Sequence, residues 1–271
     1  MKRVFRFMGV FLCAVMLGAL ILPTAVYAQD NSVIDISHAN EGYFTVHYTA
    51  GSAVKMKVGI TYNSSTKFLS YAHGENSSFS FTEGDGDYTI TLYRNVSGTA
   101  YTVAARTSVY VTLQDELAPY LASTGEITFE KGGAVMTLAD ELCADAETDE
   151  EKITAIHNYM AQNFYYDYAF SNEVASGAVK NYIPSTAATL ESGKGICYDF
   201  SALFAAMCRS QSIPTQIQRG YLNGVYHAWN LVYLDGEWQS VDITVSIGKQ
   251  AKASLLTECL INSADGNVYT Y

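Results

Sequence analysis

The chain has 271 residues, of which 49% are hydrophobic and 16% charged, a balance that excludes a disordered or collagen-like polymer. Five cysteines are too few for a miniprotein built on disulfides. Sixteen basic against 27 acidic residues give a net charge of −11, and an acidic chain without a basic cluster argues against nucleic acid as a partner.

In chain order, Lys2, Arg3 and Arg6 precede an apolar run from Phe7 to Leu22, which Pro23 breaks. Val26-Tyr27-Ala28 then places small residues at both recognition positions, so residues 1–28 read as a secretory signal peptide cut after Ala28. A membrane anchor is the competing reading, but the run falls short of the ~20 residues a spanning helix needs. Cys13 lies inside the run, outside a lipobox-like context. The expectation is a secreted, extracellular protein with no stable membrane insertion after cleavage.

Residues 29–113 are expected to form a β-sandwich of the immunoglobulin or fibronectin kind. Tyr43-Phe44-Thr45-Val46-His47-Tyr48-Thr49 alternates with period two, as does the stretch from Lys55 to Tyr62 through Met56, Val58 and Ile60. Phe79-Ser80-Phe81 and Tyr88 to Tyr93 follow on either side of Gly84-Asp85-Gly86-Asp87. Tyr101 to Ala104 and Ser108 to Leu113 read as the last two strands. His38, His47 and His73 are isolated, so no catalytic set gathers here. Asn63, Asn76 and Asn95 each open a glycosylation pattern, a frequent chance match in chains rich in Ser and Asn.

Residues 114–271 change period. A helix is compatible with Ala134 to Ala146, and Thr148-Asp149-Glu150-Glu151 is a capping box. Ile153, Ile156, Met160 and Phe164 form an apolar helical stripe, with His157 beside it as a core or surface residue rather than a second base. A loop is expected from Tyr165 to Pro184, then a short helix from Thr186 to Glu191 stopped by Gly193-Lys194-Gly195. Cys197 opens the next helix, whose apolar face is Phe200, Leu203, Phe204 and Met207. Unpaired first-turn amides and the helix dipole stabilise a thiolate at such a position.

Three strands are then expected, Thr215 to Leu222, Tyr226 to Leu234 and Glu237 to Thr244, separated by the hairpin signals Asn223-Gly224 and Asp235-Gly236. A two-residue loop at Asp235-Gly236 pairs Leu234 with Glu237 and sets Trp229 opposite Asp242. His227 and Asp242 then become diagonal neighbours on one face, ~7–8 Å apart and within reach of a hydrogen bond. A three-residue loop would turn Asp242 to the other face. Cys197, His227 and Asp242 together make a nucleophile, a base and its orienter.

Gly193-Lys194-Gly195-Ile196-Cys197-Tyr198-Asp199-Phe200, Tyr226-His227-Ala228-Trp229-Asn230 and Trp238-Gln239-Ser240-Val241-Asp242 resemble the three ordered motifs of the transglutaminase-like superfamily. The resemblance covers residues 117–247 and implies a papain-like α+β core of bacterial type. Carried over, Cys197 is the catalytic nucleophile, His227 the base and Asp242 its orienter. Tyr166-Asp167 resembles an element lining the cleft of bacterial members, so Tyr166, Asp167 and Trp229 are candidate substrate-binding residues, packing being the alternative for Trp229 and Trp238. The third motif reads Asp242-Ile243-Thr244 where relatives commonly have Asp-Pro or Asp-x-Thr.

No metal or cofactor is expected, because the three residues lack the usual Cys-x-x-Cys or His-x-x-x-His spacing of a zinc site. Cys208 lies about 16 Å along the helix from Cys197, beyond disulfide reach, and at most one pair can form among Cys143, Cys208 and Cys259. The expected activity is that of an exported cysteine protease, amide hydrolase or acyltransferase working on a protein or peptide substrate, with the cell wall as one setting. The competing reading is a non-catalytic surface or extracellular binding protein that uses the sandwich, with an idle second half.

Overall fold

Alternating burial builds the first part of the chain; the computed structural model describes residues 33–222, 224–248 and the backbone of 269–270. One antiparallel sheet holds β1 (Ile34–Asp35), β2 (Tyr43–His47) and β5 (Asn76–Ser80). A second runs β4-β3-β6-β7, from Ser65–Tyr71, Met56–Tyr62, Gly86–Ser97 and Ala100–Val111. Phe44, Val46 and Phe79 of the first sheet share one core with Val58, Ile60, Ile90 and Leu92 of the second. Each such side chain contributes ~1.5–3 kcal/mol when taken from water. The proposed signal peptide lies outside the described residues.

One local reading changes here, and two further features come from the fold. The expected strands at Tyr101 to Ala104 and Ser108 to Leu113 are one continuous β7, because Ala105 and Thr107 are buried and carry the inward face across the gap. β4 had no sequence signal, since Ser65-Thr66-Lys67 at its start is polar, with Ser65 and Thr66 exposed on a sheet edge. The Asn95 amide of the third glycosylation pattern is engaged inside its own hairpin, donating to the Gly98 and Ala100 carbonyls, both at 3.1 Å.

The second core is wound around one helix. α1 (Ala134–Leu142) and α2 (Asp149–Asn163) come first, and Thr148 caps α2 as a full box. Its Oγ1 accepts from Glu151 N at 3.2 Å while the Glu151 carboxylate accepts from Thr148 N at 3.1 Å. The expected loop after α2 instead contains β8 (Tyr165–Tyr166) and α3 (Tyr168–Ala175). α3 buries none of its residues, which is why no apolar stripe announced it.

α4 (Thr186–Ser192) and β9 (Lys194–Gly195) lead into α5 (Cys197–Ser210). Every residue of α5 from Asp199 to Arg209 is buried, the signature of a helix packed on all sides. Around it stand Ile153, Ile156, Met160 and Phe164 from the α2 stretch and Ile217 and Val232 from the sheet. That sheet runs β12-β11-β10-β13, from Glu237–Val241, Val225–Leu234, Thr215–Leu222 and Tyr269–Thr270. Asn230 Nδ2 bridges sheet to helix, donating to Ser201 O at 3.0 Å and Gln216 O at 3.2 Å.

The third expected strand stops early. β12 ends at Val241, and residues 243–246 wind into a 3-10 turn capped by Asp242, whose Oδ1 accepts from Thr244 N at 3.0 Å.

The connecting segment packs on both parts. Ser80 Oγ donates to Pro119 O at 2.7 Å, Gly125 N to Ser78 O at 2.9 Å, and the Tyr120 ring stands 4.9 Å from that of Trp238. Gly42 has φ +86°, and a Cβ there would meet Pro119 N at 2.6 Å, so only glycine fits.

Candidate active site

Cys197 is delivered by a short, tightly specified turn. Gly193 ends α4 in the left-handed region at φ +65°, and β9 pairs in parallel with β8, Tyr166 opposite Gly195. Ile196 is extended and Cys197 is the first helical residue, partly exposed. First-turn amides of a helix have no intrahelical acceptor, so the sulfur stands where backbone N–H groups and the positive dipole end converge.

The Asp199 carboxylate holds that turn from inside. It is buried, with Oδ2 accepting from Ile196 N at 2.8 Å and Oδ1 from the Tyr182 hydroxyl at 2.6 Å. Burial pushes its pKa up, and the two hydrogen bonds pull against that rise. Isoleucine has no side-chain acceptor, so this is the return half of a capping box without its forward half. Gly195 is required beside it: a Cβ there would meet Asp199 Cβ at 2.6 Å. An acid two residues after a helix-opening cysteine was a legible capping signal; Tyr182 gave none.

His227 lies on β11 and is largely buried, with Nε2 2.8 Å from Asp242 Oδ2. β11 and β12 pair Leu234 with Glu237 and Asn230 with Val241, the register expected from a two-residue turn. Asp242 therefore arrives beside His227 even though the strand has already ended. Burial works against the imidazolium, yet hydrogen bonds and charge from Asp242 and Cys197 outweigh it and raise the His227 pKa to about 10. With Nε2 given to Asp242, Nδ1 is the nitrogen left for the sulfur. The three expected residues are thus brought together.

The other expected site residues serve first as supports. Tyr166 packs near Phe200 and Tyr168, and its hydroxyl lies 3.2 Å from Ser171 Oγ. Asp167 caps α3, accepting from Phe170 N at 2.9 Å, and its own N–H donates to Gly195 O at 2.8 Å. Trp229 is buried and stacks on His227, ring centroids 6.2 Å apart, so it backs the imidazole rather than opening a platform. Trp238 packs between Tyr120 and Tyr233.

His157 is a core residue whose Nε2 lies 3.1 Å from Ser246 Oγ in the turn that follows Asp242. Burial lowers its pKa, against a hydrogen bond with Asn158 and the charge of Asp242. Cys143 and Cys208 are buried and free, and Cys259 lies outside the described residues. Among the described residues, no group of three or more His, Cys, Asp and Glu is placed to hold a metal.

Residues 136–243 match the transglutaminase-like superfamily. The kyphoscoliosis peptidase of Homo sapiens is 32% identical over 123 residues, 41% of this chain and 18% of its own length. That of Mus musculus is 30% identical over 139 residues, 47% of this chain and 20% of its own. The chain spans about a fifth of the length of these curated relatives. Among solved structures, a candidate cysteine protease from Cytophaga hutchinsonii is similar at 18% identity and TM-score 0.43, covering 84% of this chain and 90% of that one. A structure described as a TGase is similar at 23% identity and TM-score 0.37, covering 60% of this chain and 46% of that one.

Proposed function

We propose that this chain, whose residues 136–243 form a domain of the transglutaminase-like superfamily, is an exported cysteine acyl-transfer enzyme acting on peptide or carboxamide bonds. The observation that carries the proposal is the paired His227 and Asp242 beside a partly exposed Cys197 at a helix start. In this reading the Cys197 thiolate attacks the carbonyl carbon, and the developing oxyanion is met by the backbone N–H of Cys197. His227, charged through Asp242, gives its proton to the departing amine as the carbon–nitrogen bond breaks. A thioester remains on Cys197. Neutral His227 then takes a proton from water, which attacks the thioester; the carbon–sulfur bond breaks to release a carboxylic acid and restore the Cys197 thiolate beside charged His227. A primary amine in place of water would give a cross-link; hydrolysis is the outcome we favour. The β-rich first part, of immunoglobulin or fibronectin type in this reading, serves as a spacer or docking module.

The test is a library of peptides containing Gln and Lys, read by mass spectrometry for cleavage and isopeptide products. The native chain is expected to give products and Cys197→Ala none, with Cys197→Ala keeping its circular dichroism spectrum. An active Cys197→Ala variant would overturn the mechanism and favour the binding-protein reading. Amino-terminal sequencing of secreted material, expected to begin at Gln29, tests export separately.

A further inference from the structure

Apart from the Cys197 site, a half-enclosed cavity of about 110 Å³ lies between the β-rich part and the helical part. Three cations line it, Lys67 of β4, Arg209 of α5 and Arg219 of β10, against one lining carboxylate, Glu126. In a chain with 16 basic and 27 acidic residues, that local excess of positive charge runs opposite to the whole.

Each cation is held in place. The buried Arg209 guanidinium donates to Thr215 O at 2.9 and 2.7 Å and to Ala122 O at 2.5 Å, neutral carbonyls that leave its charge in the wall. Arg219 donates to Glu126 at 2.6 Å, and its guanidinium carbon lies 4.3 Å from the centre of the Tyr198 ring. Glu126 also accepts from the Tyr198 hydroxyl, so one carboxylate is divided between a cation and a phenol. Lys67 Nζ reaches Thr82 Oγ1 at 3.4 Å, and burial works against its charge although Glu83 and Glu126 support it. With Glu126 shared between Arg219 and Tyr198, the lining of the cavity carries more cationic than anionic side chains.

We propose that this cavity binds a short aliphatic carboxylate, its charge taken by Lys67 and Arg219 and its methylenes by Ile60, Leu69 and Phe79. The space is smaller than the ~150 Å³ that accommodates benzene, which suits a group the size of a glutamate side chain. Apolar walls on one side and fixed cations on the other distinguish that group from a bare inorganic anion. Two sources share this chemistry, a free small carboxylate and an acidic side chain of a polypeptide. Tyr182 and Tyr198 line the cavity and also belong to the surroundings of the Cys197 turn, through the bond to Asp199 and by direct sequence neighbourhood.

Isothermal titration of the full chain with glutarate is the test. Saturable binding is expected, weakened about tenfold or more in Lys67→Met and retained in Lys67→Arg, the loss matching one charge-assisted hydrogen bond. Circular dichroism and the melting temperature verify that each variant is folded, and Lys67→Gln replaces any Lys67→Met that is not. A Gly/Ser peptide with one Glu, compared with its Gln twin, separates the sources. Competition by the Glu peptide assigns the site to a polypeptide side chain, and its failure beside glutarate binding assigns it to a free carboxylate. No glutarate binding, unchanged affinity in the folded Lys67 variant, or equal binding of inorganic phosphate would overturn the proposal.

Discussion

Asp242→Asn removes a charge while nearly preserving a shape, and the structure says what that costs. Asp242 Oδ2 faces His227 Nε2 at 2.8 Å while Oδ1 accepts from Thr244 N at 3.0 Å. An asparagine amide has a single oxygen, so it can serve only one of those donors. Either the imidazole or the 3-10 turn loses its acceptor, and the negative charge is gone in both cases. The rise of the His227 pKa from 6.5 to about 10 is achieved against burial by Asp242 and Cys197 jointly. Taking away the Asp242 share lowers the ring's proton affinity, about tenfold for each pKa unit that Asp242 supplies. The imidazolium–thiolate pair at neutral pH falls by the same factor. The assay is the rate of Cys197 alkylation by iodoacetamide between pH 4 and 10. The native chain should react readily at neutral pH, whereas Asp242→Asn should slow there and recover only toward the ordinary thiol range near ~8.5. Turnover should fall on the order of 10²- to 10⁴-fold without vanishing. A group whose pKa is raised on folding stabilises the fold fully below its unfolded value and loses that contribution as pH climbs through the folded one. The variant should therefore lose most stability below pH 6.5 and least near pH 10. Superimposable alkylation profiles for the two proteins would refute the reasoning.

Cys208→Ala should leave kcat/KM within about twofold, because that sulfur is buried about three helical turns from Cys197; the cost is ~1–2 kcal/mol by urea unfolding. His157→Ala should remove the bond to Ser246 and loosen the turn that carries Asp242, costing ~2–3 kcal/mol in stability and lowering kcat more than it raises KM. Thr148→Ala should cost ~1 kcal/mol through loss of the capping box, with alkylation of Cys197 unchanged.

The hairpin that carries His227 was legible because Asp235-Gly236 fixes a two-residue turn, and that turn fixes every pair behind it. The extrapolation held for the site even though the backbone leaves the strand after Val241, since Asp242 needed only to be on the correct side when it did. Elements with little to bury were harder to see. α3 buries nothing, and β4 begins with polar residues at an edge, so neither writes a period into the sequence. Contacts closed only by the tertiary fold left no spacing at all. Glu126, Tyr198 and Arg219 meet across 72 and 93 residues, and Tyr182 reaches Asp199 from a stretch that reads as an ordinary loop.

The parallel pairing of Tyr165–Tyr166 with Lys194–Gly195 closes one end of the excursion that follows, through Tyr165 N to Gly193 O at 2.9 Å and Asp167 N to Gly195 O at 2.8 Å. Its other end is fastened where Thr186 Oγ1 meets Thr128 O at 2.5 Å. Once both ends are tied, doubling the length between them adds only about 0.6 kcal/mol of closure entropy. Residues 168–184 therefore form an excursion tied at both ends and bound inward through Tyr168, Ser171 and Tyr182. Lengthening or replacing this stretch would leave the turn that presents the sulfur fastened by the same pairing.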